Sequence, residues 1–331
     1  MCWRNDYAIL RPGKGVTTET LTGPPIIAIV GPTATGKTAV AISVSAALGG
    51  EIISADSQAV YRGMDIGTAK PDTVERARIP FHLLDAANPD EPFTVARFRE
   101  LAEAALLGIR KRGRQPLLAG GTGLYVKALL ENYGLTETPA DPVIRERLNA
   151  EAAQSGAPAL HARLEQADPA AAARIHPNDR IRIVRALEVL ERTGVPISVQ
   201  QARDAETRTR RPSVKFGLTA AREVLYAAID QRVDKMIAKG LVQEIQDLLA
   251  KGYTEDLAPL RSLGYKEICA YLRGQIDLET AVSEIKLNTR RFAKRQLTWF
   301  RADSEITWID VEGRSIDQIA KEILSQLEAP Y

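Results

Sequence analysis

Residues 31–38 read GPTATGKT. The two glycines, the lysine and the final threonine fit the pattern G-x-x-x-x-G-K-[ST], in which successive backbone N–H groups turn toward phosphate oxygens. The β-branched run IIAIV (26–30) precedes the motif, and a helical stretch from Lys37 to about Leu48 follows it. A buried strand, a glycine-rich turn and a helix are the context that this motif requires. The sequence therefore predicts an α/β fold that binds a phosphate-bearing ligand.

Strand-like runs recur along the chain and alternate with helical stretches. The run EIIS (51–54) leads to Asp56, and the run PLLA (116–119) leads to two glycines and Thr122. This alternation predicts a parallel sheet with helices on both faces. Because ligands bind beyond the carboxyl ends of such strands, the phosphate motif, Asp56 and Thr122 should converge on one site. We also predict strands at 82–85 (HLLD), 214–219 (VKFGLT) and, at an edge, 306–310 (ITWID), with helices at about 94–112, 222–300 and 315–327.

The composition changes in the middle of the chain. Residues 138–204 are rich in Ala, Arg and Glu, and they show helical periodicity without a convincing strand pattern. We interpret them as a helical insertion domain between the two parts of an α/β core, at 24–137 and 205–331. Residues 1–23 are interpreted as a disordered extension that precedes the core.

Composition excludes several classes of protein. The 331 residues contain two cysteines and three widely separated histidines, which excludes a disulfide framework and a Cys-rich metal site. No apolar run approaches the ~20 residues of a membrane helix. The N-terminus lacks the apolar segment of a secretory signal. We therefore expect a cytoplasmic protein that does not contact a membrane.

Positive charge is concentrated in two segments, although the net charge is only +2. Residues 180–222 contain ten basic and four acidic side chains, and residues 286–301 contain six basic and no acidic ones. Such segments in a nearly neutral protein indicate a localised surface for a polyanion.

The phosphate motif alone does not establish nucleotide hydrolysis. Hydrolases of this type usually carry a second strand that ends in an Asp and helps to hold Mg²⁺. Here the run 116–119 ends in Gly120 and Gly121 instead. The run 51–54 does lead to Asp56, but the polar Ser57 and Gln58 follow it and are better suited to contacting a substrate.

Five further segments extend the comparison beyond the phosphate motif. Together with GPTATGKT, and in the same order from about residue 25 to 310, they resemble the tRNA dimethylallyltransferases, also called tRNA isopentenyltransferases. The segments are SADSQAVYRGMDIGTAKP (54–71), GGTGLYVKALL (120–130), HPNDRIRIVRALEV (176–189), RSLGYKEI (261–268) and TRRFAKRQLTWFR (289–301).

The resemblance implies a prenyl transfer to RNA. Members of this family move the dimethylallyl group of dimethylallyl diphosphate to N6 of adenosine 37, beside the tRNA anticodon, and release diphosphate. The implied fold is a P-loop NTPase-like α/β core with a helical insertion that binds tRNA. The donor and the flipped adenine enter a channel from opposite ends. The chain is similar to the shorter bacterial form, which we expect to act as a monomer with Mg²⁺.

The resemblance also implies which residues bind the donor. Asp56 matches the general base, while Arg232 and Thr33 match groups that contact the diphosphate. The loop would neutralise the leaving group through the amides of residues 33–38 and through Mg²⁺ on Thr38. The implied diphosphate-binding residues are Gly31, Pro32, Thr33, Ala34, Thr35, Gly36, Lys37 and Thr38.

A second set of residues is implied to bind tRNA. Many relatives have Gln where this chain has Ile181. In the segment 289–301 we expect Phe292, Trp299 and Phe300 to face the core while some cations contact RNA phosphates. The implied tRNA-binding residues are Asp56, Ser57, Gln58, Ala59, Thr122, Arg145, Ile181, Arg182, Arg185, Arg261, Gly264, Tyr265 and Lys266.

Three alternatives stay open from the sequence. A small-molecule or nucleotide kinase also combines a phosphate loop with a helical lid, although the basic segments and the missing strand-end Asp argue against it. A non-catalytic RNA-binding protein would not need an intact Lys37, Thr38 and Asp56. Prenylation of free AMP, ADP or ATP is a close variant, against which Arg182 and Arg185 in the insertion favour tRNA.

Overall fold

A six-stranded sheet organises the part of the chain that the structure describes. The computed structural model describes residues 23–131, 138, 140–206 and 210–328, so all but the last residue of the predicted extension 1–23 lies outside the described residues. Every strand pair is parallel, and the order across the sheet is β3-β2-β4-β1-β5-β6. The strands are β1 (Ile26–Val30), β2 (Glu51–Ser54), β3 (Phe81–His82), β4 (Pro116–Gly120), β5 (Ser213–Thr219) and β6 (Ile306–Asp310).

Some helices cover the two faces of the sheet, and others pack against one another in separate layers, as described below. In chain order they are α1 (Lys37–Leu48), α2 (Thr73–Arg78), α3 (Val95–Lys111), α4 (Gly123–Leu130), α5 (Pro142–Ser155), α6 (Ala157–Ala167), α7 (Pro169–Ala172), α8 (Arg180–Thr193), α9 (Ile197–Glu206), α10 (Arg222–Ala238), α11 (Leu241–Ala250), α12 (Tyr265–Leu272), α13 (Leu278–Arg301) and α14 (Ile316–Glu328).

Burial on both faces explains why the central strands are continuously apolar. All five residues of β1 are buried. One face packs against α3 and α4 through residues such as Phe98 and Leu129, and the other packs against α1 and α14 through residues such as Val40 and Ile323. Since a strand between two helical layers has no solvent-facing side, the alternating pattern of a one-sided sheet is lost. The predicted parallel sheet flanked by helices is confirmed.

One local prediction is wrong, and one short helix was not predicted. The predicted strand at 82–85 is wrong, because β3 ends at His82 and both Leu83 and Asp85 adopt positive φ angles of 65° and 54°. A left-handed backbone cannot continue a strand. The short helix α2 was not predicted, although Asp72 and Glu75 form a reciprocal capping box at its start, which is a readable sequence signal.

Helices α5 to α9 pack around an apolar cluster of their own. Leu148, Leu164, Ile183 and Leu187 are among its buried members. The helix α9 extends to Glu206, past the predicted end of the insertion at residue 204.

Another apolar cluster joins α10, α11, α12 and α13 to the segment that follows β2. It contains Val60 and Met64 from that segment and Leu241, Ile268 and Ile285 from the helices. This layer therefore covers the sheet at the carboxyl end of β2.

No described helix has the length and apolar character needed to cross a membrane.

Candidate active site

The phosphate loop between β1 and α1 is shaped by two glycines. Gly31 has a φ of 134°, and a Cβ there would lie 2.5 Å from the carbonyl oxygen of Leu218 on β5. Gly36 has a φ of 78° directly before α1. Inside the loop, the Thr35 hydroxyl donates to the Pro32 carbonyl at 3.0 Å. Only glycine combines this backbone with this closeness to a neighbouring strand.

Lys37 is the cation at the centre of the loop. Its Nζ donates to the carbonyl oxygen of Pro32 at 2.5 Å. Burial and, to a smaller extent, the positive charge of Arg232 lower the pKa of Lys37 to about 7, although the negative charge of Asp56 partly opposes them. Since these charges act on one another, Lys37, Arg232 and Asp56 belong to one electrostatic site.

Arg232 reaches the site from α10. Its Nη2 donates to the carbonyl oxygen of Thr68 at 3.3 Å. Burial lowers the pKa of Arg232, and the charge of Asp56 opposes that shift. A guanidinium starts from so high a pKa that it stays cationic in such a site. Arg232 also lines a cleft of about 720 Å³ that runs from Ala34 and Gly36 along α10.

Asp56 lies just beyond the carboxyl end of β2. Its Oδ1 accepts backbone hydrogen bonds from Gln58 at 2.8 Å and Ala59 at 3.2 Å. Beside it, burial raises the pKa of Tyr125, with a smaller contribution from the charge of Asp56. Among the described residues, both hydrogen bonds of the Asp56 carboxylate use Oδ1, which leaves Oδ2 for a ligand.

The turn after β4 brings Thr122 to the same place. Its Oγ1 accepts from the backbone N–H of Ser57 at 3.0 Å, and its own N–H donates to the Ala55 carbonyl at 3.1 Å. A Cβ on Gly120 would lie 2.2 Å from the carbonyl oxygen of Ala55. Glycine at 120 is thus required for β2 and β4 to end side by side, and the structure brings the phosphate loop, Asp56 and Thr122 together.

Gln296 on α13 is a residue of this site that the sequence did not reveal. Its Oε1 accepts from the backbone N–H of Thr33 at 2.9 Å, and its Nε2 donates to the carbonyl oxygen of Gly121 at 2.9 Å. The expectation that the amides of residues 33–38 all face the diphosphate is therefore wrong for Thr33, because its N–H is directed at Gln296. The glycine at 121 is the sequence feature that could have indicated a close contact here, because a Cβ at that position would lie 2.2 Å from Gln296 Nε2.

The aromatic side chains of α13 are placed differently from the prediction. Phe300 is buried as expected, but Phe292 is 37% exposed and Trp299 is 42% exposed. The prediction that all three face the core is wrong, because Phe300 lies on the buried stripe with Ala293 and Gln296 while the other two lie beside it. Trp299 instead packs on Gly123, where a Cβ would lie 2.1 Å from its ring.

The predicted tRNA contacts in the insertion differ in their surroundings. Arg145 and Arg185 both bind the buried carboxylate of Glu188, at 2.9 Å and 2.7 Å. That ion-paired cluster lowers the pKa of Glu188 despite its burial. In contrast, Ile181 is 80% exposed at the start of α8, and Arg182 is exposed beside it. Their role in binding tRNA stays a prediction.

The predicted contacts at 261–266 are likewise of two kinds. Tyr265 is buried, and its hydroxyl donates to Glu244 at 2.7 Å. The same carboxylate accepts from the backbone N–H groups of residues 65, 66 and 67. Arg261 and Lys266 are exposed, and Gly264 precedes α12 with a φ of 92°. Tyr265 therefore fixes a loop, whereas Arg261 and Lys266 are exposed beside it, and Lys266 Nζ lies 3.5 Å from Glu267 Oε1.

The residues of the loop fit a magnesium ion that is shared with a phosphate ligand. Within the described residues, no group of three or more His, Cys, Asp or Glu side chains is arranged so that it could hold a metal ion. Mg²⁺ in phosphate sites usually takes one or two protein oxygens and completes its shell with phosphate and water. The Thr38 hydroxyl at the start of α1 is an oxygen donor of this kind.

Two family models match the chain. The model described as IPP transferase matches residues 59–303, and the model described as Isopentenyl transferase matches residues 24–79. The first covers well over half of the chain, and the second contains the phosphate loop.

Named relatives and solved structures agree with these matches. The tRNA dimethylallyltransferase of Symbiobacterium thermophilum is 50% identical over 303 residues, which cover 92% of this chain and 94% of the relative. The structure of tRNA isopentenylpyrophosphate transferase from Bacillus halodurans is 43% identical with a TM-score of 0.68, and covers 92% of this chain and 95% of that one. A eukaryotic dimethylallyltransferase solved acting on tRNA is 25% identical with a TM-score of 0.75, and covers 92% and 80%.

Proposed function

The chain belongs to the IPP transferase family, and from that premise we propose that it transfers the dimethylallyl group of dimethylallyl diphosphate to N6 of adenosine 37 in tRNA. The products are diphosphate and N6-dimethylallyladenosine. The enzyme is a prenyltransferase of tRNA modification with a P-loop NTPase-like fold. We place the reaction in the cytoplasm and expect a monomer, which analytical ultracentrifugation can check.

The observation that carries this proposal is the pairing of a cationic phosphate site with one carboxylate. Lys37 and Arg232 supply positive charge beside the loop, and Asp56 lies close enough to influence the pKa of both. An alkyl transfer needs stabilisation of a leaving anion and a base for the nucleophile, and it needs them on opposite sides of one carbon. Lys37 and Arg232 would supply the first, and Asp56 would supply the second.

Departure of diphosphate is the step that the loop and Arg232 would favour. The C–O bond of the allylic carbon breaks and its electron pair stays on the diphosphate. The remaining loop amides, Lys37 and Arg232 would stabilise the added negative charge in a site of low dielectric, where such interactions are strong. No P–O bond changes.

Proton removal from the nucleophile falls to Asp56. The exocyclic N6 lone pair is delocalised into the adenine ring, so the C–N bond forms readily only if the proton leaves as it forms. The two backbone hydrogen bonds to Oδ1 hold the carboxylate in place. Oδ2 would accept the N6 proton.

The magnesium site would be completed by the donor. Thr38 would hold Mg²⁺ together with the diphosphate oxygens. When bound, the ion neutralises negative charge on the leaving group.

The acceptor would be held by the surface around the turn after β4 and by the insertion. Extrusion of a base from its stack costs a few kcal/mol, which contacts to neighbouring nucleotides must offset. Ser57, Thr122 and the exposed Arg182 are proposed contacts, as are Arg261 and Lys266. Positive charge in these segments supports an RNA acceptor over a free nucleotide.

The test is a transfer assay with labelled donor. We would incubate the protein with Mg²⁺, labelled dimethylallyl diphosphate and unmodified tRNA, and then digest the RNA to nucleosides. Label is expected in dimethylallyladenosine from position 37, and tRNA with guanosine at position 37 should receive none. Label in free AMP, ADP or ATP would refute the substrate. A phosphorylated product from ATP would refute the reaction.

A further inference from the structure

We propose that Gln296 is a positioning residue that holds the phosphate loop in register with the turn that carries Thr122. This inference rests on the proposed function, since it concerns the distance between the leaving group and the general base. Gln296 does not need to touch either substrate for this role.

The geometry of the Gln296 amide makes it a bridge between two backbones. It accepts from the N–H of Thr33 and donates to the carbonyl of Gly121, both at 2.9 Å. These partners lie 263 and 175 residues away in sequence. The loop holds the leaving group, and the turn after β4 binds the N–H of Ser57 through Thr122. One side chain thus links the donor half of the site to the acceptor half.

The bridge is fitted closely to its surroundings. Gln296 is 7% exposed. A Cβ on Gly121 would lie 2.2 Å from its Nε2, while the next atoms in reach, Gln296 Cδ and the Gly31 carbonyl oxygen, lie at 3.3 Å and 3.4 Å. Gly121 does not have a positive φ angle. The need for glycine at 121 is therefore set almost entirely by the amide of Gln296.

The helix that carries Gln296 is itself fixed to α10. Ala293 packs with Leu225 and Ile229 of α10, and Arg290 forms an ion pair with Asp230. The same helix α10 carries Arg232. Gln296 therefore transmits the position of the α10–α13 pair to the loop, and the distance from Arg232 to the diphosphate depends on it.

Loss of the bridge should affect the chemical step more than binding. A displacement of about 1 Å in a reacting group can lower a rate by about 10²-fold. Without the amide, the Thr33 N–H and the Gly121 carbonyl lose their partners, so the loop and the turn can move relative to each other. Substrate contacts made by other residues stay in place.

The experiment compares single-turnover rates in a set of variants. Gln296→Met removes both hydrogen bonds at similar size, and Gly121→Ala should displace the amide. Thr289→Val is the matched control, because Thr289 lies on the same helix and is also 7% exposed, and among the described residues its hydroxyl bonds within the helix, to the Ile285 carbonyl. Rates are measured at saturating substrates and normalised to the fraction of protein that binds donor. The melting temperature of each variant is recorded.

We expect Gln296→Met and Gly121→Ala to lower the single-turnover rate by about 10- to 100-fold. Dissociation constants for tRNA should stay within about threefold, and Thr289→Val should keep the normal rate even if it melts earlier. In the double variant with Gln296→Ala, Gly121→Ala should cost little more than Gln296→Ala alone, because the obstructing amide is gone.

Two results would overturn the inference. One is a normal rate for folded Gln296→Met, and the other is a double variant in which the two losses multiply. If the wild-type protein transfers no prenyl group, the proposed function fails instead, so the two failures are distinguishable.

Discussion

Donor binding should depend on pH through Lys37. With a pKa of about 7, Lys37 is about half protonated in the free protein at pH 7 and about one-hundredth protonated at pH 9. A bound diphosphate favours the charged amine, so its arrival should drive protonation. If only the charged form binds, the apparent dissociation constant of dimethylallyl diphosphate should rise about fifty-fold between pH 7 and pH 9.

Calorimetry measures this coupling directly. Titration of donor into protein, repeated in buffers of different ionisation enthalpy, gives the protons taken up on binding. We expect about half a proton at pH 7 and about nine-tenths at pH 8. Lys37→Met should bind weakly with little change over this range. Lys111→Gln should keep the pH dependence of the wild type. Lys111 is exposed and ends α3, just before β4 begins, at the opposite end of the strands from the phosphate loop.

The same shift predicts a cost in stability for the free protein. A lysine whose pKa falls from 10.5 to about 7 on folding removes stability as the pH falls from 10.5 toward 7. Lys37→Met should therefore raise the free energy of unfolding at pH 7, by between about 1 and 4 kcal/mol. Zero proton uptake at pH 8, together with an affinity that stays flat from pH 7 to pH 9, would refute the reasoning.

Three further predictions concern catalysis, RNA binding and acid stability. Asp56→Ala should lower the single-turnover rate by about 10²- to 10⁴-fold while tRNA still binds; lost binding at an unchanged rate would contradict that role. The affinity for tRNA should fall linearly with the logarithm of salt concentration in filter binding, and a flat response would exclude a basic RNA surface. Hydrogen bonds from Arg112, with help from His82, hold the pKa of Glu51 at about 2. Because a depressed carboxyl pKa stabilises the fold above pH 4.5, that contribution should disappear between about pH 4.5 and 2. Melting curves of Glu51→Gln should show a smaller loss over this interval than those of the wild type.

The sequence predicted well those features that local pattern determines. The phosphate loop follows from glycine spacing between a β-branched strand and a helix, and the structure has both elements where the pattern put them. The helical character of 138–204 follows from periodicity in the same way. The prediction of a strand at 82–85 was wrong because Leu83 and Asp85 have a left-handed backbone conformation. Residue propensities do not reveal that conformation at these positions.

The features that were missed depend on contacts between distant parts of the chain. Gln296 meets Thr33 across 263 residues, and no local pattern links the two. The aromatic side chain of Trp299 is of a type that favours the core, yet it packs against the backbone of Gly123, which has no side chain. A glycine lies against each of these side chains, Gly121 against Gln296 and Gly123 against Trp299. A glycine that its own backbone conformation does not require therefore indicates that a side chain from elsewhere in the chain packs closely on it.

The end of β4 differs from the arrangement that is usual in nucleotide hydrolases with a phosphate loop. Hydrolases place a magnesium-binding Asp at the end of a strand beside the loop. Here a side chain at 120 would collide with the Ala55 carbonyl at 2.2 Å, and one at 121 would displace Gln296. The acidic group lies instead after β2, at Asp56, where backbone hydrogen bonds fix it. From there, in the proposed reaction, the carboxylate would receive a proton from the incoming amine, while Lys37 and Arg232 would hold the leaving diphosphate. Introduction of an Asp at 120 would have to separate β2 from β4 before it could bind a metal, so the sheet itself opposes conversion to a hydrolase.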